Sequence, residues 1–442
     1  MKKIATLALA AAFVTAAYAP ASAVDVKLDG EWLYQFQTAS EGFSSQNTEW
    51  VGSRMRLGTT ISVNESLSGY TQFEIEENWG TAPKHGSTEL GVRQMYIDWK
   101  IPGIEAKVRM GRHAFDMPGS VFCSPVITDM VGEGVVLDLP LGDHFSLTGF
   151  WTRADMTDGE QEVEDFGEYT ADNATYDIFG LVGKASFDGF SVTPWFVYGR
   201  QEEGSQYPQE QGTLAMRGDG DLLYGEQADL FVFGAATEWK FFDPFTLALD
   251  AAYGTAKYGA NAELDNDKGW FVAASGSYAL DFAEPALKVW YASGDDKGDR
   301  AMSGHLPSIF GDNDATNTFF NGAPGIVGGH RTNIGGTWGV SAQLNGLSFL
   351  DSLTHDLAIS YIGGTNDKDN TGDDYGHGYD YMTTEDAAVE FSVVNIWEIY
   401  KNLSAILEAA YIVEDFDTST PGRAGMDFEN DWRVSMTFAF TF

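Results

Sequence analysis

Five basic residues stand at spacings that let them act together on β-strands. Arg54 and Arg56 are two apart, as are Lys107 and Arg109, and a strand's period of two turns such pairs to one face. Arg112 follows shortly after, and Asp116, Asp129 and Glu133 lie in the segment beyond it. Opposed fixed charges at the narrowest point of a pore select ions and orient solutes. Arg54, Arg56, Lys107, Arg109, Arg112, Asp116, Asp129 and Glu133 are therefore the candidate constriction residues. The competing reading is that they are ordinary solvated charges on a wet strand face.

Three acidic runs could hold a hard cation: Asp265-Asn266-Asp267, Asp312-Asn313-Asp314 and the stretch from Asp367 to Asp374. The last opens with the D-x-D-x-x-G spacing of a calcium loop but has no glutamate at the twelfth place. Calcium at these loops and plain solvated acids both remain open, and no other cofactor is implied. The seven histidines, among them His85, His113, His305 and His330, have no nucleophile motif around them. An enzyme, with an outer-membrane hydrolase as its form, is thus the weaker alternative. Cys123 is the single cysteine, so no intrachain disulfide can form.

The elements that would carry these residues show a period of two. From Val24 the even positions read Val24, Val26, Leu28, Gly30, Trp32, Tyr34 and Phe36, interleaved with Asp25, Lys27, Asp29, Glu31, Leu33 and Gln35. At the other end Trp432, Val434, Met436, Phe438, Phe440 and Phe442 alternate with Arg433, Ser435, Thr437, Ala439 and Thr441. One such strand could equally belong to a soluble sheet. About 18 of them, each near the roughly 9 to 11 residues a tilted spanning strand needs, predict an antiparallel transmembrane barrel. Sixteen strands is the neighbouring alternative, because the segments near Gly269 and Ala387 are weak.

The connections sort into two alternating classes. Short turns are predicted at 64–66, 102–103, 141–143, 188–189, 243–244, 281–284, near Asn345-Gly346, and at 401–402. Long polar loops are predicted around 37–50, 78–89, 111–133, 154–175, 200–228, 256–268, 294–330, 363–386 and 414–431. Segregation of turns to one end and loops to the other is the asymmetry of a barrel inserted from the periplasm.

The first 23 residues read as a secretory signal: Lys2-Lys3, an apolar run from Ile4 to Ala19, then Ala21-Ser22-Ala23. Beyond it no apolar run approaches the roughly 18 residues of a spanning helix. The formal charge is −39, and with Lys2 and Lys3 removed 24 basic residues face 65 acidic ones, a net −41. Nucleic acid is excluded as a partner on that ground. The 50 glycines and 14% aromatic residues suit repeated hairpins with aromatic girdles, although composition alone would also fit a large secreted β-sandwich.

From Val24 to Phe442, with its terminal strand Trp432-Arg433-Val434-Ser435-Met436-Thr437-Phe438-Ala439-Phe440-Thr441-Phe442, the chain resembles the trimeric general porins of the bacterial outer membrane. It is most similar to the homotrimeric porins of sulfate-reducing bacteria. The resemblance implies a multi-pass outer-membrane homotrimer among lipid and lipopolysaccharide, passing small hydrophilic solutes and ions by diffusion. It also implies that the third long loop, 111–133, folds into the pore. General porins have 16 strands and 18 is nearer to sugar-specific channels, so a solute-selective channel is the second reading.

Overall fold

A computed structural model describes residues 24–41, 44–79, 90–163, 167–202, 227–259, 267–297, 303–309, 311, 314–319, 334–369, 381–420, 423 and 428–442. The signal segment 1–23, His85, His330, Asp265-Asn266, Asp312-Asn313 and 370–374 lie outside the described residues.

Eighteen antiparallel strands form one sheet that closes on itself. The first six are β1 (Asp25–Glu41), β2 (Ser44–Asn64), β3 (Leu67–Asn78), β4 (Gly91–Lys100), β5 (Lys107–Phe115) and β6 (Met130–Pro140). The next six are β7 (Phe145–Val163), β8 (Gly167–Phe187), β9 (Phe190–Gln201), β10 (Ala228–Phe242), β11 (Phe245–Tyr258) and β12 (Asp267–Tyr278). The last are β13 (Glu284–Ala292), β14 (Thr337–Leu350), β15 (Leu353–Gly364), β16 (Ala387–Tyr400), β17 (Leu403–Asp415) and β18 (Asp431–Thr441). The segments near Gly269 and Ala387 are full strands, β12 and β16.

Closure is made by β1 on β18, with Trp32 opposite Phe440 and Gln35 opposite Thr437. Gly30 and Phe442 exchange two backbone hydrogen bonds, at 3.0 and 3.1 Å. A closed sheet leaves no edge, so each strand's amides and carbonyls have a partner on both sides, which is what a hydrocarbon surrounding demands.

Alternation separates an apolar outside from a polar inside. Val26, Leu28, Trp32, Tyr34 and Phe36 of β1 are exposed, whereas Leu33 and Gln35 between them are buried. On β18 Val434 and Phe438 face out, and Arg433, Ser435 and Thr437 are buried. Rings meet across strands on the outer face, as in Tyr198 with Phe231 (centroids 4.8 Å apart) and Trp270 with Tyr291 (4.9 Å). Such aromatic rings, with the polar edges that Tyr198, Trp270 and Tyr291 carry, suit a membrane boundary.

Three boundary expectations change. Asn345-Gly346 is not a turn: β14 runs through it to Leu350, and the chain reverses at Asp351-Ser352. Gly346 has φ +60°, the register slips between Leu344 and Leu347, and the Gly346 amide donates to Asp356 at 2.6 Å. A glycine takes this left-handed conformation without strain, so the Asn-Gly pair serves a bulge here. The polar segments 37–50 and 154–175 are mostly strand, since β1 to β2 and β7 to β8 continue as long paired hairpins. The third loop is shorter than 111–133, because β5 extends to Phe115 and β6 begins at Met130.

Candidate functional site

The β5–β6 loop, residues 116–129, turns into the barrel. The carboxylate of Asp250, inward on β11, accepts the backbone amides of Ser120 (2.8 Å), Val121 (2.7 Å) and Phe122 (3.2 Å). Phe122 then packs edge-on against Trp290 of β13 (5.7 Å, 88°) and near Phe271 of β12. Val126 and Ile127 are fully buried.

A second loop, between β13 and β14, enters beside the first. Glu390, buried on β16, accepts the Thr316 hydroxyl (2.5 Å) and the Phe319 amide (3.1 Å). The two loops join where Ile309 N donates to Val126 O (3.0 Å) and where Asp314 accepts the Cys123 amide (2.9 Å). They approach so closely that a Cβ on Gly311 would lie 2.0 Å from the Pro125 carbonyl oxygen. Two carboxylates on the wall, Asp250 and Glu390, each accept loop donors and fix both loops inside the lumen.

Loop packing buries the lumenal residues of β8 to β12, such as Ile178, Val197, Val232 and Ala256. The lumenal faces of β1 to β5 instead carry a ladder of charge. Arg54 pairs with Glu31 (3.1 Å), and Arg56 with Glu31 (3.5 Å) and Glu74. Arg93 on β4 reaches Glu74 (3.8 Å) and Asp129 of the loop (2.5 Å). Nearer the short turns Asp98 pairs with Arg109 (2.8 Å) and Lys107 (2.9 Å), while the Arg109 guanidinium lies 3.9 Å from the Tyr96 ring centre. Asp116 accepts the Asp129 amide at 2.7 Å. Lys107, Arg109, His113, Asp116 and Asp138 line a recess of about 220 Å³.

Six of the eight candidate residues thus occupy one region: Arg54, Arg56, Lys107 and Arg109 on the wall, and Asp116 and Asp129 on the loop. The wall is a ladder of ion pairs, which corrects the expectation of a basic wall facing an acidic loop. Arg112 and Glu133 do not belong to it. They pair with one another at 2.6 Å on the outer face, where Arg112 lies opposite Met95, 58% exposed, and the Glu133 side chain is itself 61% exposed. Arg112 is three residues from Arg109 with no bulge between them, so the pleat turns it to the opposite side.

Sequence reading missed Arg93, Glu31, Glu74 and Asp98 as ladder members, and Asp250, Asp314 and Glu390 as loop anchors. The inward positions of Asp250 and Glu390 follow from period two, but their loop partners do not.

Arg423 ties the β17–β18 loop to the β15–β16 loop. It is fully buried, pairs with Asp386 (2.7 Å) and donates to Tyr381 O (2.7 Å). His305 is bonded to Asn366 (2.8 Å), and His113 is stacked 4.1 Å from Phe115. Among the described residues no three His, Cys, Asp or Glu side chains converge on a metal position. Within the acidic run at 367–374, Asp369 is paired with Lys297 at 2.6 Å, and that ammonium holds its carboxyl below the usual range.

An 18-stranded antiparallel barrel with an apolar outside, an ion-paired inner wall and infolded loops is the architecture of an outer-membrane channel. Its fold is similar to OccK2 of Pseudomonas aeruginosa, at 10% identity and a TM-score of 0.57, over 95% of this chain and 98% of that one. It is likewise similar to OccAB2 of Acinetobacter baumannii (11%, 0.56, 95% and 98%). The outer membrane protein OpdK of Pseudomonas aeruginosa has the same fold (11%, 0.55, 95% and 99%). No protein-family model and no curated protein matches the sequence.

Proposed function

We propose that this chain is an outer-membrane porin, exported by a signal at 1–23, through which small hydrophilic solutes and ions diffuse passively. In this reading the short turns lie in the periplasm and the loops outside. Segment 116–129, with the β13–β14 loop behind it, narrows the pore against the charged arc of β1 to β5. One observation carries the reading: Asp250 and Glu390 hold two loops inside the lumen while Arg54, Arg56 and Arg109 stay on the arc facing them and Arg93 meets the loop at Asp129. The proposal includes a homotrimer, as in the general porins that the sequence resembles. Swelling of vesicles containing the purified protein tests it. Small sugars should enter at rates that fall with solute size and rise in proportion to concentration.

A solute-selective channel is the second reading, favoured by the fixed ladder. Ion-paired side chains hold defined positions and present a shaped row of alternating charge. Saturable flux, and block of ionic current by one class of solute, would mark it.

A further inference from the structure

The lumenal wall of a water-filled barrel is ordinarily polar, yet five rings follow one another along it from β3 to β7. Tyr70 lies 5.2 Å from Tyr96, which meets His113 edge-on at 5.9 Å. His113 lies 4.1 Å from Phe115, and Phe115 lies 5.3 Å from Phe150. Three inward glycines make room for the row. A Cβ on Gly58 would collide with the Tyr70 hydroxyl, one on Gly134 with the Phe115 ring and one on Gly180 with the Phe150 ring. A glycine inside a strand marks a close approach, and each of these lets a ring lie along the wall.

The row ends in the recess of about 220 Å³, which Phe115 and Phe150 line together with Lys107, Arg109, His113, Asp116 and Asp138. His113 is 1% exposed, and its Nδ1 lies 3.0 Å from the Ala114 carbonyl oxygen. A carbonyl can only accept, so Nδ1 carries the proton and Nε2 of the neutral ring is an acceptor. Among the described residues nothing donates to it. Lys107 and Arg109 are both paired with Asp98, at 2.9 and 2.8 Å. Asp138 accepts the Thr148 hydroxyl with one oxygen, at 2.7 Å, which leaves its other oxygen for a guest.

We infer that this recess is a binding station for a neutral monosaccharide in its ring form, with the rings from Tyr70 onward leading to it. The inference deepens the channel reading proposed above and rests on it. An anion meets two carboxylates here, Asp116 and Asp138, and two cations that are already paired. A hydroxyl donates and accepts at once, so it can donate to His113 Nε2 or Asp138 and accept from the further N–H groups of Lys107 and Arg109. The C–H face of a sugar ring is weakly positive and suits the negative faces of Phe115 and Phe150. The volume lies below the roughly 300–1,000 Å³ of pockets for larger ligands and so admits a single ring.

Single-channel recording in planar bilayers tests this, with glucose and glucuronate, the same ring bearing a carboxylate, as probes. Glucose should interrupt the wild-type current saturably, and glucuronate about tenfold more weakly or worse. His113→Leu, which removes the buried acceptor, and Asp138→Ala should each raise the half-blocking concentration of glucose about tenfold, read against that variant's own open current. Lys401→Gln, at the β16–β17 turn, should be blocked as the wild type is. Equal block by the two solutes, or block that neither recess variant weakens, would overturn the site. If His113→Leu fails to fold, Asp138→Ala alone must still weaken the block. Steady current that glucose never interrupts would overturn the station and leave the channel standing, whereas absence of current in the wild type would overturn both.

Discussion

The carboxylate of Asp250 receives the Val121 amide at 2.7 Å and, with it, the amides on either side. A single barrel residue therefore holds the turn of the infolded loop in place. Replacing it by alanine leaves three donors without their acceptor, at about 1–3 kcal/mol for each that stays buried. We predict that Asp250→Ala widens the distribution of single-channel conductance and increases open-channel noise. It should also raise the rate at which maleimide labels Cys123, whose amide and thiol meet Asp314 on the neighbouring loop. Asp250→Asn, which keeps one acceptor oxygen, should fall between.

Contact between the two loops is tested at Gly311. Any side chain there meets the backbone carbonyl of Pro125 at 2.0 Å as well as the Ser308 hydroxyl at 2.5 Å, and the backbone cannot turn aside. Gly311→Val should separate the loops and increase conductance while barrel folding, read from strand circular dichroism and heat-dependent gel mobility, stays unchanged. An unaltered conductance would mean that the β13–β14 loop does not support the narrow point.

Much of this fold is legible in the sequence because lipid on one side and water on the other force alternation, as in Val26 to Phe36 and Trp432 to Phe440. Legibility fails where that constraint lapses. The paired hairpin ends near 37–50 and 154–175 have the polar composition of loops. Asn345-Gly346 meets the needs of a bulge as well as those of a turn. Arg112 was legible, since its parity with Met110 already placed it outside. Asp250 stands between Ala248 and Ala252 on an inward face, which marks it as unusual, but its partners lie some 130 residues away in sequence. No local pattern encodes that meeting.

Arg423 and Asp386 form an ion pair with both side chains fully buried. Breaking such a pair from one side costs about 3–5 kcal/mol, because the remaining charge keeps no counter-ion. Arg423→Ala should therefore loosen the outer loops, giving faster proteolysis near 381–386 with the barrel intact. Arg423→Lys should restore protection only in part, since one ammonium cannot reproduce the guanidinium's reach to both Asp386 and the Tyr381 carbonyl.

Closure of β1 on β18 predicts unfolding in one step, since opening any strand exposes unpaired backbone groups. Unheated protein should migrate differently from boiled protein on detergent gels. A band near three times the protomer mass would support the trimer, and crosslinking that yields monomer alone under mild detergent would count against it.

The ladder is tested most directly by reversal potential in a salt gradient across a planar bilayer. At roughly 8 Å one unit charge acts on a passing ion by about 0.5 kcal/mol at water-like dielectric and about 2 kcal/mol at an effective value of 20. Loop charges more than roughly 8 Å away are largely screened at physiological salt. The wild type should show a modest cation preference at low salt that weakens or reverses as salt rises. Neutralising Arg54, Arg56, Lys107 and Arg109 together leaves Glu31, Glu74 and Asp98 without these partners and should shift the potential further toward cations. A reversal potential unchanged across the salt range would contradict the assignment of this arc as the narrow point of the pore.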